Sequence, residues 1–305
     1  MNRVFLLLIG LSLLLTACSA EPAVAVSLSK KLQGGLVQVD TATSADVYNV
    51  GFDRRLEPKE DVRMYAPLLD YLGRATGLTF HLHVTPRDGN VADEIGAAKV
   101  DFAIVGTLSY LQAHERWGAR ALVKGLNSDG EPTYRAAIVT RPSSPIRTIS
   151  DLRGQSFAFG APNSTQGHLI PRMLLAKEGI ALSDLAGYEY TGSHAATASA
   201  VVNGRYDAGG LQDTLAASLQ AQGLVRIVAL SPPCPSSGIM VSPRVPDEVV
   251  DLVRRALLEF DPTDRNAAGL YHWERSEMPK GFAPAQDEDY AVLREWASSF
   301  GLLAH

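Results

Sequence analysis

The sequence predicts an α/β protein of two lobes with mainly parallel sheets, and three observations carry that prediction. Its 305 residues exceed the usual size of a single core. From Asp46 onward, short apolar runs alternate with amphipathic stretches, the pattern of strands joined by helical crossovers. The plan then recurs: Lys99-Val100-Asp101-Phe102-Ala103 in the first half and Arg205-Tyr206-Asp207-Ala208-Gly209 in the second each follow a helical stretch, and each sets a basic residue two before an aspartate.

Residues 1–17 read as an export signal, with the basic Arg3, an apolar run from Val4 to Leu15 and small residues behind it. The run is too short to span a bilayer. Leu15-Thr16-Ala17-Cys18 resembles the bacterial lipobox, which makes Cys18 the expected lipidated first residue of the mature protein. Acylation there leaves Cys234 alone, so the exported fold has to stand without a disulfide. Residues 18–45, rich in Ser, Ala, Lys and Gly, read as a flexible tether.

The first strand is expected at 47–52. Met64, Leu68, Leu69 and Leu72 then fall at helical spacing as far as Gly77, and 78–84 alternates Leu78, Phe80, Leu82 and Val84 as a second strand, completing a βαβ unit. A helix at 92–98 and a strand at 100–105 lead to Gly106-Thr107-Leu108-Ser109-Tyr110, where another helix opens. The second half gives strands at 156–159, 188–190 and 206–209 with helices at 165–178 and 195–202. Residues 134–141 and 225–241 are the expected hinge strands, and 245–260 is an amphipathic helix with Val249, Val250, Val253, Leu257 and Leu258 on one face. Lobe 1 is therefore predicted as 46–137 plus 240–305, and lobe 2 as 138–239.

Composition narrows the function. A net charge of −5 gives no global basic field, which argues against nucleic acid as a partner. An anionic ligand would have to be attracted by local donors and helix ends. His81 and His83 alternate on one strand face, but no third ligand is placed by spacing, so neither a metal nor a cofactor is expected. Catalysis by Ser164 or Cys234 with His194 and Asp207 is disfavoured: no Gly-x-Ser-x-Gly elbow surrounds Ser164, and Cys234 sits among prolines with no helix start to activate it.

The most informative stretch is Gly160-Ala161-Pro162-Asn163-Ser164-Thr165-Gln166-Gly167, set between a strand and a helix and rich in capping residues. Its opening amides and the hydroxyls of Ser164 and Thr165 suit an anion, and Gly167 permits close approach. Tyr188-Glu189-Tyr190-Thr191-Gly192-Ser193-His194 and Gly106-Thr107-Leu108-Ser109-Tyr110 occupy comparable strand-to-helix turns, at the sheet edge where α/β proteins bind ligands. Facing one another across a cleft, such turns surround a tetrahedral anion with donors.

Asn163-Ser164-Thr165-Gln166-Gly167-His168-Leu169-Ile170-Pro171, Gly192-Ser193-His194 and Val202-Asn203-Gly204-Arg205-Tyr206-Asp207-Ala208-Gly209 resemble the signatures of the phosphate/phosphite/phosphonate ABC-transporter substrate-binding family. Gly51-Phe52, Val105 to Tyr110, Ser150-Asp151-Leu152-Arg153-Gly154 and a tail motif from Gly281-Phe282 to Asp289-Tyr290 extend the likeness over nearly the whole mature chain. The resemblance implies a type II periplasmic-binding-protein fold: two Rossmann-like lobes joined by two hinge strands, with the ligand between them. It implies an oxyanion held by Ser164, Thr165, His194, Tyr110 and Tyr48, and a second-lobe carboxylate, Asp213, that pairs with a ligand amino group. Three departures stand out. Gln166 replaces the usual small hydroxyl residue, Ala195 replaces an aspartate, and Ser237 stands where another acid is expected, which favours a ligand without a cationic tail. The implied role is that of a monomeric, lipid-anchored binding protein serving an ABC permease, with a sensor that presents its ligand to a membrane signalling partner as the alternative.

Overall fold

The computed structural model describes residues 47–54, 58–86 and 89–303. The expected signal segment, Cys18 and the tether lie outside them.

In the first half, β1 (Val47–Phe52), α1 (Pro58–Thr76), β2 (Thr79–Leu82), α2 (Val91–Gly96), β3 (Phe102–Val105), α3 (Thr107–Trp117) and β4 (Arg120–Gly125) follow one another. Then come β5 (Thr133–Tyr134), β6 (Ala136–Thr140), β7 (Ser156–Phe159), α4 (Ile170–Lys177), β8 (Gly187–Tyr190), α5 (His194–Val202), β9 (Ala208–Gln212) and α6 (Asp213–Ala221). The chain returns through β10 (Arg226–Leu230), β11 (Cys234–Pro235) and β12 (Gly238–Val241), and ends with α7 (Asp247–Leu258), β13 (Phe282–Pro284) and α8 (Ala291–Ser299).

These strands form two main sheets, β13-β4-β12-β3-β1-β2 and β10-β6-β9-β7-β8, linked by a short ribbon of β11 on β5. Each sheet holds a parallel trio, β2-β1-β3 in one and β8-β7-β9 in the other. Each trio is flanked by an antiparallel strand that continues directly from the ribbon: β12 on β3, and β6 on β9. The sheets are thus mixed, where the apolar pattern predicted mainly parallel ones, because strands that enter a lobe from a hinge run against strands built by crossover helices. The ribbon itself is the crossing between lobes, so both crossings lie N-terminal to the positions 137/138 and 239/240 expected to divide them.

Burial explains the layering. Tyr48, Val50 and Phe52 point from alternate positions of β1 into a core shared with Leu68, Leu69 and Leu72 of α1 and Val253 and Leu257 of α7. In the second lobe, Phe157 and Phe159 of β7 pack with Leu169, Ile170, Met173 and Leu175. Most of the apolar faces read from sequence are covered, but Leu258, expected on the apolar face of 245–260, and Val84, expected in the second strand, are exposed, the latter because β2 ends at Leu82.

Two elements depart from the sequence expectation for identifiable reasons. The helix expected over 165–178 begins as a π-turn, Thr165–Leu169, and becomes α-helical only at Ile170. Pro171 has no N–H to offer the Gly167 carbonyl, which instead accepts from the Gly160 amide at 2.8 Å, and Ile170 N–H bonds back to Thr165 O. The strand expected at 206–209 starts later, at Ala208, because Asp207 is turned to receive the Ser156 amide (3.0 Å) and hydroxyl (2.6 Å).

Candidate functional site

Parallel strands bring their C-terminal ends to one edge. In the first lobe that edge carries Asp53 after β1 and Gly106 after β3; in the second it carries the 160–164 turn after β7, His194 after β8 and Asp213 after β9. The sequence expectation that these turns share a sheet edge follows directly from the two trios.

The second-lobe turn is held by its own atoms. Ser164, in extended backbone, is the N-cap residue, and its hydroxyl oxygen accepts from Gly167 N–H at 2.9 Å. A Cβ on Gly167 would lie 2.9 Å from Ser164 Oγ and 3.0 Å from Gly160 Cα, so only glycine fits. His168 braces the turn from below. Its Nδ1 lies 2.7 Å from the Pro162 carbonyl, an acceptor only, so Nδ1 carries the proton and Nε2 accepts from Tyr190 Oη at 3.0 Å. Burial lowers the His168 pKa to about 4 against the opposing pull of the Pro162 carbonyl, and the ring is neutral. The Gln166 side chain is buried and donates to the Arg135 carbonyl at 2.8 Å, fixing the turn to the hinge.

The first-lobe turn is capped from outside. Gly106 is the N-cap of α3 and has no side chain to cap with. Thr165 is 3% exposed, and its hydroxyl crosses from the second lobe and accepts from Leu108 N–H at 2.8 Å. Asp53 accepts from Gly106 N–H at 2.9 Å through Oδ2 and from the Ser109 hydroxyl at 2.9 Å through Oδ1. Asn163 Nδ2 reaches the same pair, 3.3 Å from Asp53 Oδ1 and 3.1 Å from Ser109 Oγ. Two helix starts thus converge on one niche at the junction of the lobes. Tyr134 of the hinge adds its hydroxyl, 3.2 Å from Thr107 Oγ1.

Of the residues singled out by sequence, Ser164, Thr165, Gln166 and Gly167 lie together in this niche. His194 opens α5 at the same edge of the second sheet, with Ser193 as its cap accepting from Ala196 N–H at 3.1 Å. Asp213 opens α6; its Oδ2 accepts from Arg135 N–H at 3.2 Å and its Oδ1 from Thr214 N–H at 2.9 Å. Burial lifts its pKa above the usual carboxylate range, the two amides oppose the rise, and the charge of Glu277 adds to it.

The two tyrosines are placed elsewhere. Tyr110 is buried, packs at a tilt against Tyr290 with ring centroids 4.8 Å apart, and donates its hydroxyl to Asp287 Oδ1 at 2.6 Å. Tyr48 lies between the rings of Phe80 and Phe102, under α1 and α7. It is also about 16 Å back along β1 from Asp53, five residues at roughly 3.3 Å each.

Sequence reasoning passed over Asp53, Tyr134 and Glu277. Asp53 had a readable signal: an acid immediately after a strand that ends at the binding edge. Tyr134 and Glu277 had none, since the hinge and the 277 loop reach the site only through tertiary contact. Cys234 is buried, and burial pushes its thiol pKa up, which disfavours the thiolate. Among the described residues, no cluster of His, Cys, Asp and Glu is arranged to hold a metal ion.

Two lobes on a two-stranded hinge, with strand-to-helix turns meeting between them, define the class of two-lobed solute-binding proteins. The chain belongs to the family described as "ABC transporter, phosphonate, periplasmic substrate-binding protein", whose model matches residues 50–290. It is 29% identical over 195 residues to the phosphonates-binding periplasmic protein of Escherichia coli, covering 61% of this chain and 52% of that protein, so the match spans about half the length of the relative. The solved structure of PhnD1 from Prochlorococcus marinus in complex with methylphosphonate superposes with a TM-score of 0.72 at 16% identity, covering 84% of this chain and 99% of that one. XAC2383 from Xanthomonas citri gives a TM-score of 0.70 at 23% identity, covering 85% and 98%. These likenesses establish the fold as that of periplasmic binding proteins.

Proposed function

We propose that this protein is the extracytoplasmic binding component of an ABC importer, that it captures a small phosphorus oxyanion such as phosphite, phosphate or a short phosphonate, and that Cys18 anchors it to a membrane. The observation that carries the reading is the bond from Leu108 N–H to the Thr165 hydroxyl. It brings the start of α3 in one lobe against the start of the 165–169 turn in the other, the two places where helix-start donors are expected. Micromolar affinity needs about 8 kcal/mol, and each hydrogen bond to a charged group supplies roughly 1.5–3 kcal/mol, so four to six converging donors suffice.

A ligand seated here exchanges the bonds that now tie one lobe to the other for bonds to itself, and so takes over the closed arrangement that they hold. Asp213 and Glu277 support a second reading, a phosphonate bearing an ammonium group. Ser237 offers no charge; burial raises the Asp213 pKa and the nearby negative charge of Glu277 adds to it, which makes Glu277 the acid available to act with Asp213.

Isothermal titration calorimetry with methylphosphonate, phosphite, phosphate and aminoethylphosphonate tests both readings. Saturable heat with at least one of them is expected, and Thr165→Ala weakens that binding by tenfold or more, the loss of one charge-assisted bond worth about 1.5–3 kcal/mol. No binding to any of the four overturns the function. The anchor has its own check: Cys18→Ser is expected to release the protein from the membrane fraction, and continued membrane association contradicts lipidation at that residue.

A further inference from the structure

The proposed function leaves unexplained why a carboxylate stands where it expects an anion to bind. Asp53 is held firmly. Its N–H bonds to Ile104 O at 2.9 Å, tying its backbone to β3, and its two carboxylate oxygens take Gly106 N–H, Ser109 Oγ–H and Asn163 Nδ2–H. It also borders the same space as Thr165: a Cβ placed on Gly106 would be 3.2 Å from Thr165 Oγ1 and 3.7 Å from Asp53 Oδ2.

An ionised carboxylate only accepts hydrogen bonds. A guest that presents nothing but acceptor oxygens there meets like charge and no complementary proton. A guest that keeps a hydroxyl on phosphorus donates it to Asp53 while its other oxygens take the amides and the Thr165 hydroxyl. Resting on the oxyanion reading above, we infer that Asp53 is a specificity-determining residue that admits oxyanions carrying an acidic proton and turns away those that carry none. Hydrogen phosphonates and hydrogen phosphate belong to the first group; sulfonates, sulfate and phosphonate monoesters belong to the second.

The test is calorimetry on the full mature chain with three probes: methylphosphonate, methanesulfonate, and the monomethyl ester of methylphosphonate, which is anionic but has lost its P–OH. The wild type is expected to prefer methylphosphonate over either competitor by about a hundredfold or more, as sites built to pair a ligand hydroxyl do. In Asp53→Asn, whose amide donates as well as accepts, that preference is expected to collapse by about tenfold or more, chiefly through tighter binding of methanesulfonate. Asp53→Ser, uncharged and smaller, serves as a second variant with the same expectation should the first fail to fold. Equal affinity of the wild type for methylphosphonate and methanesulfonate overturns the inference, and so does a folded variant with unchanged preference. Failure of the wild type to bind any phosphorus oxyanion overturns the parent reading and this one with it.

Discussion

The two turns that meet at the lobe junction are built in opposite ways. The 160–167 turn is self-sufficient: Ser164 caps Gly167, Gly167 O takes Gly160 N–H, and His168 pins Pro162. The turn at Gly106 depends on others, since Asp53 takes its first amide and Thr165 its third. One half of the site is thus formed before any ligand arrives, and the other is completed by whatever faces it. The arrangement suits a protein that must hold a ligand and then release it, because part of what joins the lobes is a set of hydrogen bonds that a ligand can replace.

The comparison can be broken first at Gly167. Gly167→Ala forces a Cβ against Ser164 Oγ and the Gly160 backbone, so the preformed half deforms. A loss of about 1–3 kcal/mol in urea unfolding, together with loss of oxyanion binding by calorimetry, is expected. Gly106→Ala is the matched change in the other half. Its Cβ sits 3.2 Å from Thr165 Oγ1, the hydroxyl of a side chain from the opposite lobe, so the cost is expected to be smaller and to fall on closure. Small-angle scattering should show a more open molecule with little change in melting temperature.

Thr165→Val keeps the shape but removes the acceptor from Leu108 N–H. A buried amide without its partner costs about 1–3 kcal/mol in the closed form, and the lobes are expected to separate rather than unfold. Ser164→Ala removes a cap from within its own turn, at about 1 kcal/mol in thermal or urea unfolding.

The pH dependence of the preformed half follows from His168. Its folded pKa, about 4, lies below its unfolded value of 6.5, so the unfolded chain binds the extra proton first. Stability is expected to be full above pH 6.5, to fall as pH drops from there toward 4, and to lose no more from this residue below that. The gap between 6.5 and about 4 bounds the effect at about 3 kcal/mol. Urea melts across that range should show a shallower decline in His168→Gln.

Much of the architecture was legible because it rests on local signals. The strand at 47–52, the helical spacing of Met64 to Leu72 and the capping run at 163–165 are short-range patterns that tertiary structure kept. The antiparallel returns at β6 and β12 were not legible, since strand direction depends on where a hinge delivers the chain and not on apolar alternation. At the site, the Ser164–Gly167 run was visible because helix capping is a local property. The likeness to relatives suggested Tyr110 and Tyr48, yet the structure gives one hydroxyl to Asp287 and packs the other ring between phenylalanines. Asp53 was visible as a residue, but its role arises only when β1 and β3 end side by side.

Amide chemical shifts measured by NMR during titration with methylphosphonate test the central claim most directly. The account predicts the largest shifts at Gly106, Leu108, Thr165 and Gln166, as a ligand oxygen replaces the contacts that now join the two turns. Saturable binding with those four amides unmoved and the shifts gathered elsewhere would contradict it.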